Sequence, residues 1–407
     1  MNPNEKLALE AIDRNAEKIH KVAQKIWEFK EVGWEEFQSS TLLMNELEKE
    51  GFVVERGLTG RHPKFDQEID MPTAFKAVLK GKEDGPTVGI MLEYDALPNG
   101  HACGHNLISS AGFAAAIGLK EAFLDKGSVV VYGTPAEELE GSKHYILEGG
   151  YMDEVDLMLA SHYGADWGSE VTGKAIVWPT HDNWLTFKGR SAHASSSPEK
   201  GRSALDAVIL TTMGLEFLRE HMLETNRIHY IISKGGTAAN SVPDLATLNV
   251  ELRTNDSAEL NSLMRRVDNI IKGAELMTET TAVYKWDAPW YCATPVPTLY
   301  HQTAHFAADL GIDESRFTFG NLPKASSDLG CVAYKIPTVE ITFPIVADGE
   351  PAPVGHADET ALITADDYPI AQSILAGKLM ALTGLRIAGD PQKLGVIKEE
   401  FAKNYRE

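Results

Sequence analysis

Residues 88–106 decide how the chain is read. Val88-Gly89-Ile90-Met91-Leu92 is a continuous apolar run, the pattern of a strand buried on both faces. It leads directly into Glu93-Tyr94-Asp95-Ala96-Leu97-Pro98 and then His101-Ala102-Cys103-Gly104-His105. A helix of small residues is predicted from Leu107 to about Leu124, followed by a second buried strand at Val129-Val130-Val131-Tyr132. Buried strand, polar turn, helix and buried strand make the unit of a parallel α/β layer. Ligands of such sheets gather beyond the carboxyl ends of the strands.

Working outward, Ile12, Ile19, Val22, Ala23, Ile26 and Phe29 recur at helical spacing and predict one helix. A second helix is expected over Gln38–Glu50, with strands at Phe52–Val54, Ala74–Leu79 and Leu157–Ala160. From about Asn183 the order changes. Strand Trp184–Lys188, helix Ala204–His221, strands Ile228–Ser233 and Ala246–Arg253, helix Ala258–Leu276 and strand Thr281–Trp286 form a complete β-α-β-β-α-β unit of ferredoxin-like type. After Pro295-Val296-Pro297 the α/β character resumes with helix Thr298–Leu310, strand Thr338–Ile341 and a closing helix over Ala365–Leu382. The expectation is an α/β fold with a mixed, largely parallel sheet flanked by helices (residues 1–182 and 298–407), interrupted by a ferredoxin-like α+β domain (183–297).

The 407 residues, 43% of them hydrophobic, suffice for roughly two or three domains at about 150 residues each. Fifty-nine acidic residues against 38 basic ones leave a net charge of −21, with no basic stripe, which argues against a nucleic-acid partner. No apolar run approaches the ~20 residues that span a bilayer, so no membrane partner is expected. Met1-Asn2-Pro3-Asn4-Glu5-Lys6 lacks the apolar region of a secretory leader, and three cysteines do not make a disulfide framework. A cytoplasmic location is expected.

The reactive residues follow the predicted strands. Cys103 and His105 lie beyond Val88–Leu92, Glu137 and Glu138 beyond Val129–Tyr132, His162 beyond Leu157–Ala160, and His356 in the loop after Thr338–Phe343. Thiolate, imidazole and carboxylate are the ligands of borderline transition metals. Five exceed the three that one open catalytic zinc uses, and suit two cations sharing a bridging group. Of the adjacent acids, one can bind metal while the other handles protons. Singly, each signal is weak, since a lone histidine is more often structural and a Glu-Glu pair more often solvated. Their common position along one sheet lifts the joint reading. His20, His62, His221, His229, His301 and His305 are read as structural, and His101, His144 and His181 stay open.

Asp95-Ala96-Leu97-Pro98, His101-Ala102-Cys103-Gly104-His105 and Gly133-Thr134-Pro135-Ala136-Glu137-Glu138 resemble the co-catalytic metallopeptidases and amidohydrolases related to aminoacylase and carboxypeptidase G. The similar branch holds the indole-acetyl-amino-acid, aminobenzoyl-glutamate and aminoacylase-like dipeptide hydrolases. The likeness extends through Gly189-Arg190-Ser191-Ala192-His193-Ala194, Asn240-Ser241-Val242-Pro243-Asp244, Ser326-Ser327-Asp328-Leu329-Gly330 and Gly355-His356. It implies two divalent cations per subunit, zinc or manganese before cobalt or nickel. Cys103 would bridge them, His105 and His162 completing one and Glu138 and His356 the other. It further implies Glu137 as general base, Asp95 as the orienter of a ligand, and His193 as an oxyanion donor reaching a partner subunit. Asn240 and Arg253 would hold the substrate's carboxylate. The inserted domain would then act as lid and dimerisation domain of a homodimer. On sequence alone, pairing with a local acid is an equal reading of Arg253.

Two positions depart from parts of the family. Asn106 replaces the Asp of the auxin-conjugate branch, and Glu93 stands where the wider family has a metal-binding His; Glu93 is read as supporting a ligand, with a sixth ligand as the alternative. The leading expectation is metal-dependent hydrolysis of the amide C–N bond of an N-acyl amino acid or small dipeptide. Deamination of an aromatic amine, or a silent metal-binding dimeric protein, are the competing readings.

Overall fold

The structure is a computed structural model that describes residues 1–122, 126–180, 184–321 and 325–405. The expected helix end near Leu124, the open residue His181 and the domain boundary at 182/183 lie outside the described residues. The chain forms a larger unit (Met1–Thr172, Ala293–Asn321 and the segment from Ser327 onward) and a smaller one, Gly173–Cys292.

The larger unit opens with α1 (Pro3–Arg14), α2 (Ala16–Phe29) and α3 (Phe37–Lys49). Asn2 caps α1 reciprocally with Glu5, and Asn15 (φ −102°, ψ 7°) separates α1 from α2, so the single helix expected here is two. Strands β1 (Val53–Arg61) and β2 (Glu68–Lys80) pair antiparallel from Val53↔Val78 to Arg61↔Glu68. Both outrun the short segments predicted: their added halves place the buried Leu58 and Met71 singly among exposed polar residues, too sparse an apolar pattern to mark a strand. Next come β3 (Glu83–Leu92), α4 (His105–Ala122), β4 (Lys126–Gly133), α5 (Lys143–Glu148) and β5 (Leu157–Gly164).

The smaller unit contains β6 (Ala175–Val177), β7 (Leu185–Lys188), α6 (Ala204–Arg219), β8 (Arg227–Lys234), β9 (Leu245–Thr254), α7 (Ser257–Thr278) and β10 (Thr281–Val283). Its antiparallel sheet runs β10-β7-β9-β8, with β6 joined to the far end of β9 through Ile176↔Arg253. That pairing is why the unit begins near residue 173, upstream of the expected 183. Leu185, Phe187, Val208, Leu215, Leu248, Leu263 and Val267 form its core, and Asp256 caps α7 through the N–H groups of Ala258 and Glu259.

The chain returns as α8 (Pro297–Ala307), α9 (Leu329–Lys335), β11 (Thr338–Pro344), α10 (Asp358–Ile363), α11 (Asp367–Ala388) and α12 (Pro391–Asn404). The large sheet has the order β1-β2-β4-β3-β5-β11. Its last four strands are mutually parallel and β1 and β2 antiparallel, a mixed, largely parallel sheet flanked by helices. Helix α4 is buried without interruption from His105 to Leu119. Helix α11, the expected closing helix, is by length and composition apolar enough to cross a membrane, yet most of it is buried, including Ile370, Leu379 and Met380. A Cβ on Gly377 would lie 2.5 Å from the Ala111 carbonyl oxygen, so the glycine lets α11 approach α4.

Candidate metal centre

The polar turns of the larger unit meet at the carboxyl edge of β3, β4, β5 and β11. Asp95, buried beyond β3, uses both carboxylate oxygens: Oδ1 lies 2.8 Å from His105 Nδ1 and Oδ2 accepts the Glu138 backbone N–H at 3.0 Å. One carboxylate thus orients a ring and anchors the turn that follows β4. His162 Nδ1 donates to the Tyr163 carbonyl at 2.8 Å, leaving Nε2 at 3.5 Å from Cys103 Sγ. His162 lies within β5, whose strand is longer than predicted. With Nδ1 engaged on both rings, both Nε2 atoms are available as ligands.

Three trios of ligand atoms lie within 4.8 Å of one another among the described residues: Cys103, His105 and His162; Cys103, Glu138 and His356; and His105, Glu137 and Glu138. Cys103 belongs to the first two. His105 Nε2 and Glu138 Oε1 are buried without a hydrogen-bond partner, a cost of about 1–3 kcal/mol per group, more when charged. Cations between these atoms remove that cost, so the donor set fits a pair of metals. All five expected ligands converge.

The loops are held to this arrangement. Gly104 has φ +69°, and a Cβ there would stand 2.7 Å from Tyr163 Cδ1, which fixes glycine between Cys103 and His105. Ala136 (φ 59°) and His356 (φ 66°) adopt the left-handed region without being glycine, a state that persists where surroundings over-determine it. His356 is the exposed member, its backbone N–H bound to the Ala102 carbonyl at 3.2 Å and its Nε2 3.7 Å from Glu138 Oε1.

Burial pushes the Cys103 thiol up despite the opposing His105, and a bound cation reverses that by favouring thiolate. Burial and the Glu93 carboxylate drive Glu137 well above the usual carboxylate range, while Lys143 opposes them. Burial also disfavours the Asp95 charge, but His105, the Glu138 N–H and Lys143 together hold Asp95 low.

Sequence reasoning missed Lys143, which has no exposed side-chain surface. Its ammonium binds Glu93 Oε1 at 2.9 Å and also Asp328, whose Oδ2 accepts the N–H groups of Ser142 and Lys143 at 2.9 and 3.0 Å. Asp328 belongs to the quoted Ser326-Ser327-Asp328 stretch, which signalled that something there mattered but not what. Glu93 lies outside all three trios. Glu36 was also missed, since Glu35-Glu36 looks like solvated surface; it is fully buried. Of the open histidines, His101 is structural: its Nε2 is 2.9 Å from the Ile26 carbonyl, and burial lowers it to about 4. His144 is buried against the Tyr145 ring.

In the smaller unit, His193 is exposed and its Nδ1 accepts the N–H groups of Ser195 and Ser196 at 3.3 and 3.2 Å. A neutral ring then carries its proton on Nε2. The Ala194 N–H donates to the Asn240 carbonyl at 2.9 Å, so His193 and Asn240 share one end of the unit. Arg253 does not join them. It lies at the other end of β9, roughly 27 Å from Leu245 at ~3.4 Å per residue, and its Nε donates to Glu251 Oε1 at 2.6 Å. Asn240 and Arg253 of one chain therefore stand about a strand's length apart.

Residues 181–276 match the family model described as a peptidase dimerisation domain. The chain is 30% identical to the Xaa-Arg dipeptidase of Mus musculus, the match covering 97% of this chain and 91% of that protein. It is 36% identical to a p-aminobenzoyl-glutamate hydrolase component of Escherichia coli K12 over 73% of this chain and 64% of that one. Among solved structures, a dinuclear metal-binding peptidase of the M20 family from Bacillus subtilis superposes with a TM-score of 0.63 at 18% identity, covering 91% of this chain and 98% of the other.

Proposed function

The chain belongs to the M20 family of metallopeptidases and is a metal-dependent amidohydrolase, and on that premise we propose that it hydrolyses the amide bond of small dipeptides or N-acyl amino acids with Glu137 as proton carrier. The observation that carries the reading is the pair of ligand trios sharing Cys103 beside a partly buried Glu137. Cys103, His105 and His162 would hold one cation, and Cys103, Glu138 and His356 the other. The thiolate favours zinc, and the imidazole and carboxylate ligands also accept manganese, cobalt or nickel. Such a pair supplies Lewis acidity, lowering the pKa of water and polarising the scissile carbonyl.

The chain's own groups do the rest. Glu137, within 4.8 Å of the His105 and Glu138 ligand atoms, takes the proton of the attacking water and returns it to the departing nitrogen. Asp95 holds the His105 ring and, through the Glu138 N–H, the turn bearing Glu137. His193 would offer an Nε2–H to the oxyanion that develops on the carbonyl in the partner subunit's site.

A homodimer through the smaller unit fits this chemistry. Ile209, Met213 and Phe217, four apart on α6, are exposed, as are Ile231 and Ile232 on β8, the edge strand. Apolar patches and open strand edges of this kind are interfaces. One carboxylate cannot meet Asn240 and Arg253 of one chain, so a site using both draws them from two copies.

The test is elemental analysis of protein purified without chelator, then a panel of dipeptides and N-acyl amino acids with detection of both free amino acid and ammonia. Two metals per chain and amino-acid release are expected, both lost on chelation. Glu137→Gln with metals retained should cost roughly 10²–10⁴-fold in kcat. Release of ammonia in place of an amino acid would overturn the assignment.

A further inference from the structure

Glu36 occupies the N-cap position of α3, yet its carboxylate makes no bond to that helix. Glu31 caps α3 instead, accepting the N–H groups of Gln38 and Ser39 at 2.8 Å each. The fully buried Glu36 side chain turns inward. Its Oε1 accepts the Ala136 N–H at 2.8 Å and its Oε2 the Thr73 hydroxyl at 2.9 Å. Burying a carboxylate is costly unless its bonds are good, and here it serves a residue immediately before Glu137 that is held at φ 59°.

Three further contacts join the same segment to the same region. Gly33 packs so closely on the turn after β4 that a Cβ would stand 3.0 Å from Ala136 Cα and 2.8 Å from Leu139 Cδ1. Trp34 Nε1 donates to Glu140 Oε2 at 2.8 Å. The Glu31 carbonyl accepts the Ala96 N–H at 2.7 Å, and Val32 bridges Ala96, next to Asp95. Residues 31–36 therefore touch both turns of the centre, the one that carries Asp95 and the one that carries Glu137 and Glu138. None of these residues reaches a ligand atom.

We infer that residues 31–36 form a bracket that sets the position of Glu137, with Glu36 as its positioning residue through the Ala136 N–H. This rests on the reading of Glu137 as proton carrier. A turn in the left-handed region has other backbone states close by in energy, and without the Glu36 oxygen the Ala136 peptide is free to relax toward them. The carboxylate of the next residue would then move off its line to substrate and water, the kind of misplacement of about 1 Å that costs on the order of 10²-fold in rate.

The experiment compares Glu36→Ala, Glu36→Gln, Gly33→Ala and Glu137→Ala with wild type, each metal-loaded, recording kcat and KM on the best panel substrate, metals per chain and thermal stability. Glu36→Ala should lose on the order of 10²-fold in kcat with KM and both metals kept. Glu36→Gln should recover most of it, because its amide oxygen still accepts from Ala136 and its NH₂ can donate to the Thr73 hydroxyl. Gly33→Ala, which pushes Ala136 from the other side, should also lower kcat. A loaded, folded Glu36→Ala with wild-type kcat overturns the bracket, as does a Glu36→Gln no better than alanine or a loss matched in full by lost metal. Should Glu36→Ala not fold, an unchanged kcat in Gly33→Ala overturns it. If Glu137→Ala itself stays active, the fault lies in the proton-carrier reading; if Glu137→Ala is dead and Glu36→Ala is not, it lies in the bracket alone.

Discussion

In the larger unit, the side chains most expensive to bury are among the most completely buried: Lys143, Glu93, Asp328, Asp95 and His105. In the smaller unit, side chains that cost nothing to bury, among them Ile209, Met213, Phe217 and Ile231, stand in solvent. A buried ion network rarely gains stability over an apolar core of the same size, and exposed apolar stripes gain none for an isolated chain. Each unit gives up some stability of its own, one to place charge around a reaction centre and the other, on the proposed dimer, to keep a surface open for a second copy. Substitutions in the two should therefore separate cleanly.

The largest effect is expected at Lys143. Lys143→Met leaves Glu93 and Asp328 buried without their cation, and should lower unfolding free energy by about 3–5 kcal/mol, read by urea denaturation. A loss of only a few tenths would erase the contrast between the units.

Glu36 sharpens it through pH. Burial, then the Asp95 charge, raises Glu36 from 4.5 to about 7. Between those values the native chain holds a proton that the unfolded chain has released, so this group's contribution to stability falls as pH rises. Glu36→Gln lacks that dependence. Its stability relative to wild type should grow from pH 4.5 to 7 and level off above, by at most about 3 kcal/mol, measured by denaturation at pH 5 and 7.5.

Gly104→Ala should cost about 1–2 kcal/mol for the left-handed backbone alone. Displacement of Cys103 and His105 by the Tyr163 clash should also show as weaker metal retention on dialysis. The smallest change in monomer stability belongs to Phe217→Asp with Ile231→Asp, within about 0.5 kcal/mol as for other surface sites. These should shift sedimentation from dimer to monomer while metals per chain stay constant. Loss of metal in that double variant would show that the two regions are not independent.

Most of the longer helices and strands of both units, and the α/β-with-insertion plan, were legible because their hydrophobic periods are strong and local; short β6, α5, α9 and α10 and the terminal α12 were not. The convergence of Cys103, His105, Glu137, Glu138, His162 and His356 was legible too, since each stands near the carboxyl end of a buried strand of one sheet. The added halves of β1 and β2 and the break at Asn15 were less so: the first carry single buried residues such as Leu58 and Met71 among polar ones, and the second leaves the helical spacing of apolar residues undisturbed.

What the sequence determined by itself is the order of elements and the kinds of side chain delivered to the sheet edge; strand period and residue chemistry are properties of neighbours along the chain. Only the tertiary structure decided which charges face one another. Glu36 reaches Ala136, Lys143 lies between Glu93 and Asp328, and Arg253 stays a strand's length from Asn240. Those pairings depend on distances across the fold, where no periodicity in the sequence carries the signal and an interior glutamate is written with the same letter as a solvated one.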